Sequence, residues 1–168
     1  MALLSFLNKK TRSKSNKYIK AHHFLFVEAL FQEAADEALK WSWSSWWPKD
    51  NPLQYLTDDG VLEQGKQCRL ILKGKFFNAV FKGEIIQFRP GRALQFVWRS
   101  GMMVGQEFII AEERSNGMRI DHRARYAGSN IIAKLIWILF FQKKYEESIK
   151  MALEALKKSI LQTQQDVN

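Results

Sequence analysis

The sequence predicts an α+β fold in which a curved antiparallel sheet is wrapped around one long C-terminal helix. Three observations point there. From Ser129 to Gln162 the chain runs without Pro or Gly, and apolar residues recur at three- and four-residue steps through Leu135, Ile138, Tyr145, Ile149, Leu153, Leu156 and Ile160. That is the spacing of one amphipathic helix, with Ser129 a suitable N-cap. Before it, runs rich in β-formers alternate with turn signals such as Asp58-Asp59-Gly60, Arg89-Pro90-Gly91 and Ser115-Asn116-Gly117, the pattern of an antiparallel meander. Within those runs apolar and polar residues alternate, so one sheet face is covered, and the helix is the element available to cover it.

With 168 residues the chain is long enough for one domain with a sizeable core or an enclosed cavity. Apolar content of 46% excludes disorder for the body, and six Trp and twelve Phe supply rings that fill a core or line a pocket. Of the net charge of +9, six positive charges (Lys9, Lys10, Arg12, Lys14, Lys17 and Lys20) sit in an acid-free stretch, leaving a mildly basic body. No nucleic-acid partner is expected of such a body. The single cysteine, Cys68, permits no internal disulfide and no zinc cluster, so a reducing, cytoplasmic location is expected.

Residues 1–20 read as a basic, flexible tail and residues 21–168 as the folded domain. Leu3, Leu4, Phe6 and Leu7 precede the cations, the reverse of a secretory signal. The tail is a peripheral anchor on an anionic membrane surface, a solvated terminus, or a segment that folds back on the body. His22 to Phe31 then reads as a strand and Gln32 to Trp47 as a helix, stopped by Pro48 and Pro52. Four indoles between Trp41 and Trp47 cannot all face one way, so some pack under the sheet or the long helix.

The strand runs are Gln67 to Lys73, Phe76 to Phe88, Ala93 to Arg99, Gly105 to Glu113 and Met118 to Tyr126. Gly83, inside the longest, marks a bulge that bends the sheet or a tight turn. Alternation puts Cys68, Leu70 and Leu72 on the covered face, then Phe77, Ala79 and Phe81, then Leu94, Phe96 and Trp98, then Ile120, His122, Ala124 and Tyr126. Arg119, Asp121, Arg123 and Arg125 fall on the solvated face. The first half of the long helix, Ile131 to Phe141, is apolar nearly all round and is interrupted only by Lys134. It is too short to span a bilayer, so a second covering is expected there: another element, a ligand or a lipid surface.

In this order of elements the chain resembles the SRPBCC or START-like superfamily, which has the helix-grip fold. The resemblance covers about His22 to Gln162. It rests on Trp46-Trp47-Pro48 after the first helix, Val61 to Gly65, Ile85 followed by Arg89-Pro90-Gly91-Arg92 and Leu94, and Tyr145 to Lys158 in the last helix. It implies a six- or seven-stranded sheet gripping the helix, with a hydrophobic cavity between them.

The function expected on that basis is binding, or transport, of a hydrophobic or amphipathic small molecule such as a lipid. Phe77, Phe81, Phe96, Trp98, His122, Tyr126, Leu135 and Leu139 would line the pocket. Met102 and Met103, between Gly101 and Gly105, would form a mobile apolar loop at its mouth, or fold back as an ordinary hairpin. His122 is the one histidine expected inside; with no second histidine or carboxylate in reach, it reads as structural or ligand-orienting. His22 and His23 point to opposite faces of a strand and form no metal pair. No metal site, cofactor or independent catalytic motif is read. Two alternatives stay open: a polyketide cyclase or dehydratase-like enzyme in which His122 or Tyr126 moves protons, and a membrane-associated adaptor whose cavity the indoles fill. The sequence does not fix the oligomeric state.

Overall fold

A computed structural model describes residues 18–29 and 31–167. Apart from Tyr18, Ile19 and Lys20, the stretch read as a tail lies outside the described residues. The elements run β1 (Ile19–Val27), α1 (Phe31–Leu39), a 3-10 turn (Trp41–Trp43), β2 (Leu53–Thr57), β3 (Gln67–Leu72), β4 (Ala79–Arg89), β5 (Ala93–Gly101), β6 (Met103–Arg114) and β7 (Gly117–Gly128). A long helix, α2, follows: Ile131–Ile136, a π-helical stretch Trp137–Phe141, and Gln142–Val167. The seven strands form one curled antiparallel sheet in the order β1-β7-β6-β5-β4-β3-β2, and the helix lies in its concave face.

The bend at Gly83 is a bulge and not a turn, because the β4–β5 register shifts between Lys82 and Gly83. A Cβ at Gly83 would lie 2.0 Å from the Val97 carbonyl oxygen and 2.8 Å from the Trp98 ring, so only glycine admits this close crossing. The β5–β6 ladder ends at Trp98 and Gly105. Gly101 still pairs with Phe81, and Met103 with Gly128. The segment expected to be a mobile loop is thus held by strands on both sides, with Gly101 at φ +114° supplying the turn.

Several element boundaries differ from expectation; β4, expected from Phe76, begins at Ala79, and β6, expected from Gly105, begins at Met103. β1 starts earlier than His22 and ends at Val27. α1 stops at Leu39 because Trp41 takes a left-handed conformation (φ +50°), and the Ser44 hydroxyl donates to the Trp41 carbonyl at 2.7 Å, the competition by which serines end helices. The N-cap of α2 is Asn130, whose side-chain oxygen accepts from the Ala133 N–H at 2.8 Å; the Ser129 hydroxyl donates to the Met102 carbonyl.

The π-helical stretch decides which face of α2 is buried. Counting back from Tyr145 at 3.6 residues per turn places Ile138 and Leu135 inside. A π turn inserts a residue and slips the phase. The inward face is therefore Trp137, Phe141, Tyr145, Ile149, Ala152, Leu156 and Ile160, all buried, while Leu135, Ile138 and Leu139 are exposed. Enclosing this stripe contributes roughly 10 kcal/mol of hydrophobic stabilisation, which fixes the helix across the sheet.

Candidate functional site

Glu107 is the centre of the interior. It stands on β6, opposite Phe96 of β5 and Ala124 of β7, on the face it shares with buried Met103, Ile109 and Ala111. It has no exposed surface, and an ionised carboxylate there requires donors all round. Trp98 Nε1 donates to Oε2 at 3.2 Å and the Tyr126 hydroxyl donates to the same oxygen at 2.9 Å. His122 Nε2 lies 2.7 Å from Oε1, the Tyr145 hydroxyl donates to Oε1 at 3.1 Å, and the Tyr55 hydroxyl also donates there. Four strands and the long helix thus meet on one carboxylate.

Burial alone pushes the Glu107 carboxyl up, but the hydrogen bond and charge of His122, with Tyr55 and Tyr126, outweigh it and hold the group below the ordinary carboxylate range. Tyr55, Tyr126 and Tyr145 are driven the other way, first by burial and then by the charge of Glu107. They therefore remain phenols, able to donate. The Tyr145 hydroxyl also lies 2.9 Å from that of Tyr126 and 3.2 Å from His122 Nε2.

On its far side His122 meets a second histidine. His23 Nδ1 is 3.4 Å from His122 Nδ1, so one ring donates and the other accepts. Burial, then the charge of His122, lowers the His23 pKa to about 4, leaving it neutral at neutral pH. Trp41 stacks on the His122 ring, centroids 5.8 Å apart and planes within 6°. The expectation of a single inward histidine with no carboxylate near it is therefore corrected on both counts.

Around this cluster the predicted lining residues divide. Phe81, Phe96, Trp98, His122 and Tyr126 are brought together, all buried, but they pack on one another and on neighbouring rings. Phe81 contacts Trp98, Tyr126 and Trp137 with centroids 6.2, 5.6 and 5.3 Å apart, and Phe96 stacks on Trp98 at 5.3 Å. Met103 is buried with them. Phe77, Leu135 and Leu139 are not there. Phe77 lies in the β3–β4 loop with its ring 5.3 Å from Phe141 and is half exposed, and the two leucines are carried outward by the helix phase. Asp121, expected in solvent, is buried on the outer face under His22, Arg119 and Arg123. Burial raises its carboxyl pKa, and the His22 and Arg119 hydrogen bonds bring it below its usual value.

The open space lies beside the start of α2. A groove of about 470 Å³, open to solvent, is lined by Asn78, Val80, Met102, Asn130, Ile132, Ala133 and Ile136, within the size range of small-molecule sites. Of the predicted residues only Met102 contributes. A second recess of about 470 Å³ on the outer face is lined by Tyr18, Val97, Trp98, Arg99, Gly105, Gln106 and Arg125; its arginines and glutamine suit it less well to an apolar guest. Among the described residues no group of three or more His, Cys, Asp or Glu side chains converges as metal ligands.

No family model matches the chain and no curated protein matches it in sequence. Solved structures do match. The ginseng major latex-like protein 151 of Panax ginseng is 9% identical at a TM-score of 0.59, over 86% of this chain and 99% of its own. Ara h 8.0201 is 7% identical at a TM-score of 0.61, over 86% and 99%. A protein of Thermus thermophilus is 14% identical at 0.59, over 87% and 98%. These likenesses extend over nearly the whole of each neighbour and carry the same arrangement of curled sheet and long helix: the chain has the helix-grip fold.

Proposed function

We propose that the protein binds a hydrophobic or amphipathic small molecule, such as a lipid, in the groove between the start of α2 and the sheet. The observation that carries this reading is the apolar lining by Val80, Met102, Ile132, Ala133 and Ile136 in a space of about 470 Å³. Burial of a carbon skeleton there supplies affinity at roughly 25 cal/mol per Å². Asn78 and Asn130 supply polarity: their side-chain oxygens accept from Gly74 N–H and Ala133 N–H, which leaves each NH2 for a ligand's polar head. The ring-packed interior beneath acts as a rigid floor. Native mass spectrometry of the protein purified from its own host tests this reading: a co-purifying apolar molecule of stoichiometric abundance is expected.

A second reading, a cyclase or dehydratase-like enzyme, is favoured by one observation, the enclosed pair Glu107 and His122 with three phenols around it. Such a set holds and moves protons, but its members have no exposed surface beyond 2%, so a substrate would first have to displace the rings above them. Conversion of a polyketide-like substrate by the wild type and not by His122→Gln is the result that would favour the enzyme. The adaptor reading draws on the same packing, with Trp41, Trp46 and Trp47 buried in the core.

A further inference from the structure

From the surface around the groove we infer that the start of α2 and the β3–β4 loop form a docking face for an anionic lipid bilayer. The inference does not depend on what the groove carries. The slipped phase of the helix leaves Ile131 80%, Leu139 72% and Phe140 60% exposed, with Leu135 beside them, and Phe76 of the β3–β4 loop is 81% exposed. The two segments are contiguous, since Phe77 rests on Phe141 and both segments line the groove. Soluble monomers rarely expose so many large apolar side chains together.

Charge selects the occupant. There is no acid between Asp121 and Glu146, none between Glu63 and Glu84, and none between Glu84 and Glu107. The helix start, the β3–β4 loop and the β5–β6 hairpin therefore present no negative side chain of their own. Lys134 and Lys144 come from the helix, where the neighbouring Lys143 pairs with Glu147 at 3.7 Å, and Lys73 and Lys75 from the loop, with the Lys75 ammonium 5.4 Å from the centre of the Phe76 ring. Apolar segments that carry cations and no acid fit acyl chains beneath anionic headgroups. A second copy of this chain would bring two basic faces together and is disfavoured. Among the described residues no helix is long and apolar enough to cross a membrane, so the face lies on the surface and does not span it. The inference rests on this face alone and uses none of the tail's cations.

Full-length protein sedimented with vesicles of phosphatidylcholine, alone or mixed with phosphatidylserine, tests the inference without any cargo, so its failure leaves the ligand reading untouched. The wild type binds the anionic vesicles, and Phe76→Ser/Leu135→Ser/Leu139→Ser binds them at least about tenfold more weakly, with an unchanged circular dichroism spectrum. An environment-sensitive dye on Leu139→Cys brightens on the anionic vesicles; Cys68 is buried and does not compete for the label. Equal binding by wild type and triple variant with no dye response would assign binding to the tail and overturn the inference. Absence of vesicle binding together with a dimer that the triple variant loses would overturn it in favour of pairing between copies.

Discussion

The Nε2 atom of His122 stands 2.7 Å from Oε1 of Glu107, and neither side chain reaches solvent. The two residues belong to neighbouring strands, with Glu107 opposite Ala124 and His122 opposite Ile109, so they meet on the diagonal of one ladder. A buried pair of this kind is costly to form and more costly to break, because the partner left behind is uncompensated.

Glu107→Gln is therefore expected to lose about 3 kcal/mol of stability in urea unfolding. The amide keeps the shape of the side chain but turns an NH2 toward hydroxyl and indole donors that had faced a carboxylate oxygen. A midpoint unchanged from the wild type would show that the carboxylate is not the organising charge of the core.

Stability is expected to fall in mild acid. The folded-state pKa of His23 is lowered from 6.5 to about 4, so the unfolded chain takes up a proton in that interval and the folded one does not. Its contribution is complete above pH 6.5 and is lost as the pH drops toward 4. For a half-buried ring this is about 1–2 kcal/mol after solvent screening. Chemical denaturation across pH should show the slope, and His23→Gln should flatten it. Glu107 and Asp121, both held below their ordinary values, add acid sensitivity at lower pH, as each protonates on passing below its folded-state value.

Cys68 should resist alkylation in the native protein. Burial, followed by the charges of Glu107 and Glu84, pushes its thiol up to about 12, so almost no thiolate is present at neutral pH. Maleimide labelling is expected only after denaturant is added; rapid labelling of native protein would mean that β3 opens freely.

Much of this architecture was legible because period-two alternation is strong where one face is wholly apolar. Leu94, Phe96 and Trp98, and likewise Ile120, His122, Ala124 and Tyr126, lie inside as their spacing dictates. The lone Gly83 in a long strand marked a bulge or a tight turn, and the register shift between Lys82 and Gly83 makes it a bulge. Glu107 was not. Around it, Ile109 and Ala111 on one face compete with Phe108 and Ile110 on the other, so alternation does not choose, and a carboxylate reads as solvent-facing by default. The outward turn of Leu135 and Leu139 was hidden by a single residue of phase at the π-helical stretch, which apolar residues on all sides cannot reveal. Asp121 read as exposed because its burial comes from the cations stacked around it and not from the hydrophobic pattern.

The central claim, an apolar ligand seated beside the start of α2, is tested most directly by titrating the protein with a fluorescently labelled fatty acid and comparing the wild type with Ala133→Trp. The half-buried Ala133 lines the groove, and an indole there fills the space without touching Glu107 or its donors. A single saturable site in the wild type, weakened at least about tenfold in Ala133→Trp at unchanged thermal stability, is the predicted result. Equal affinity in the two proteins, or no saturable binding by the wild type, would contradict it.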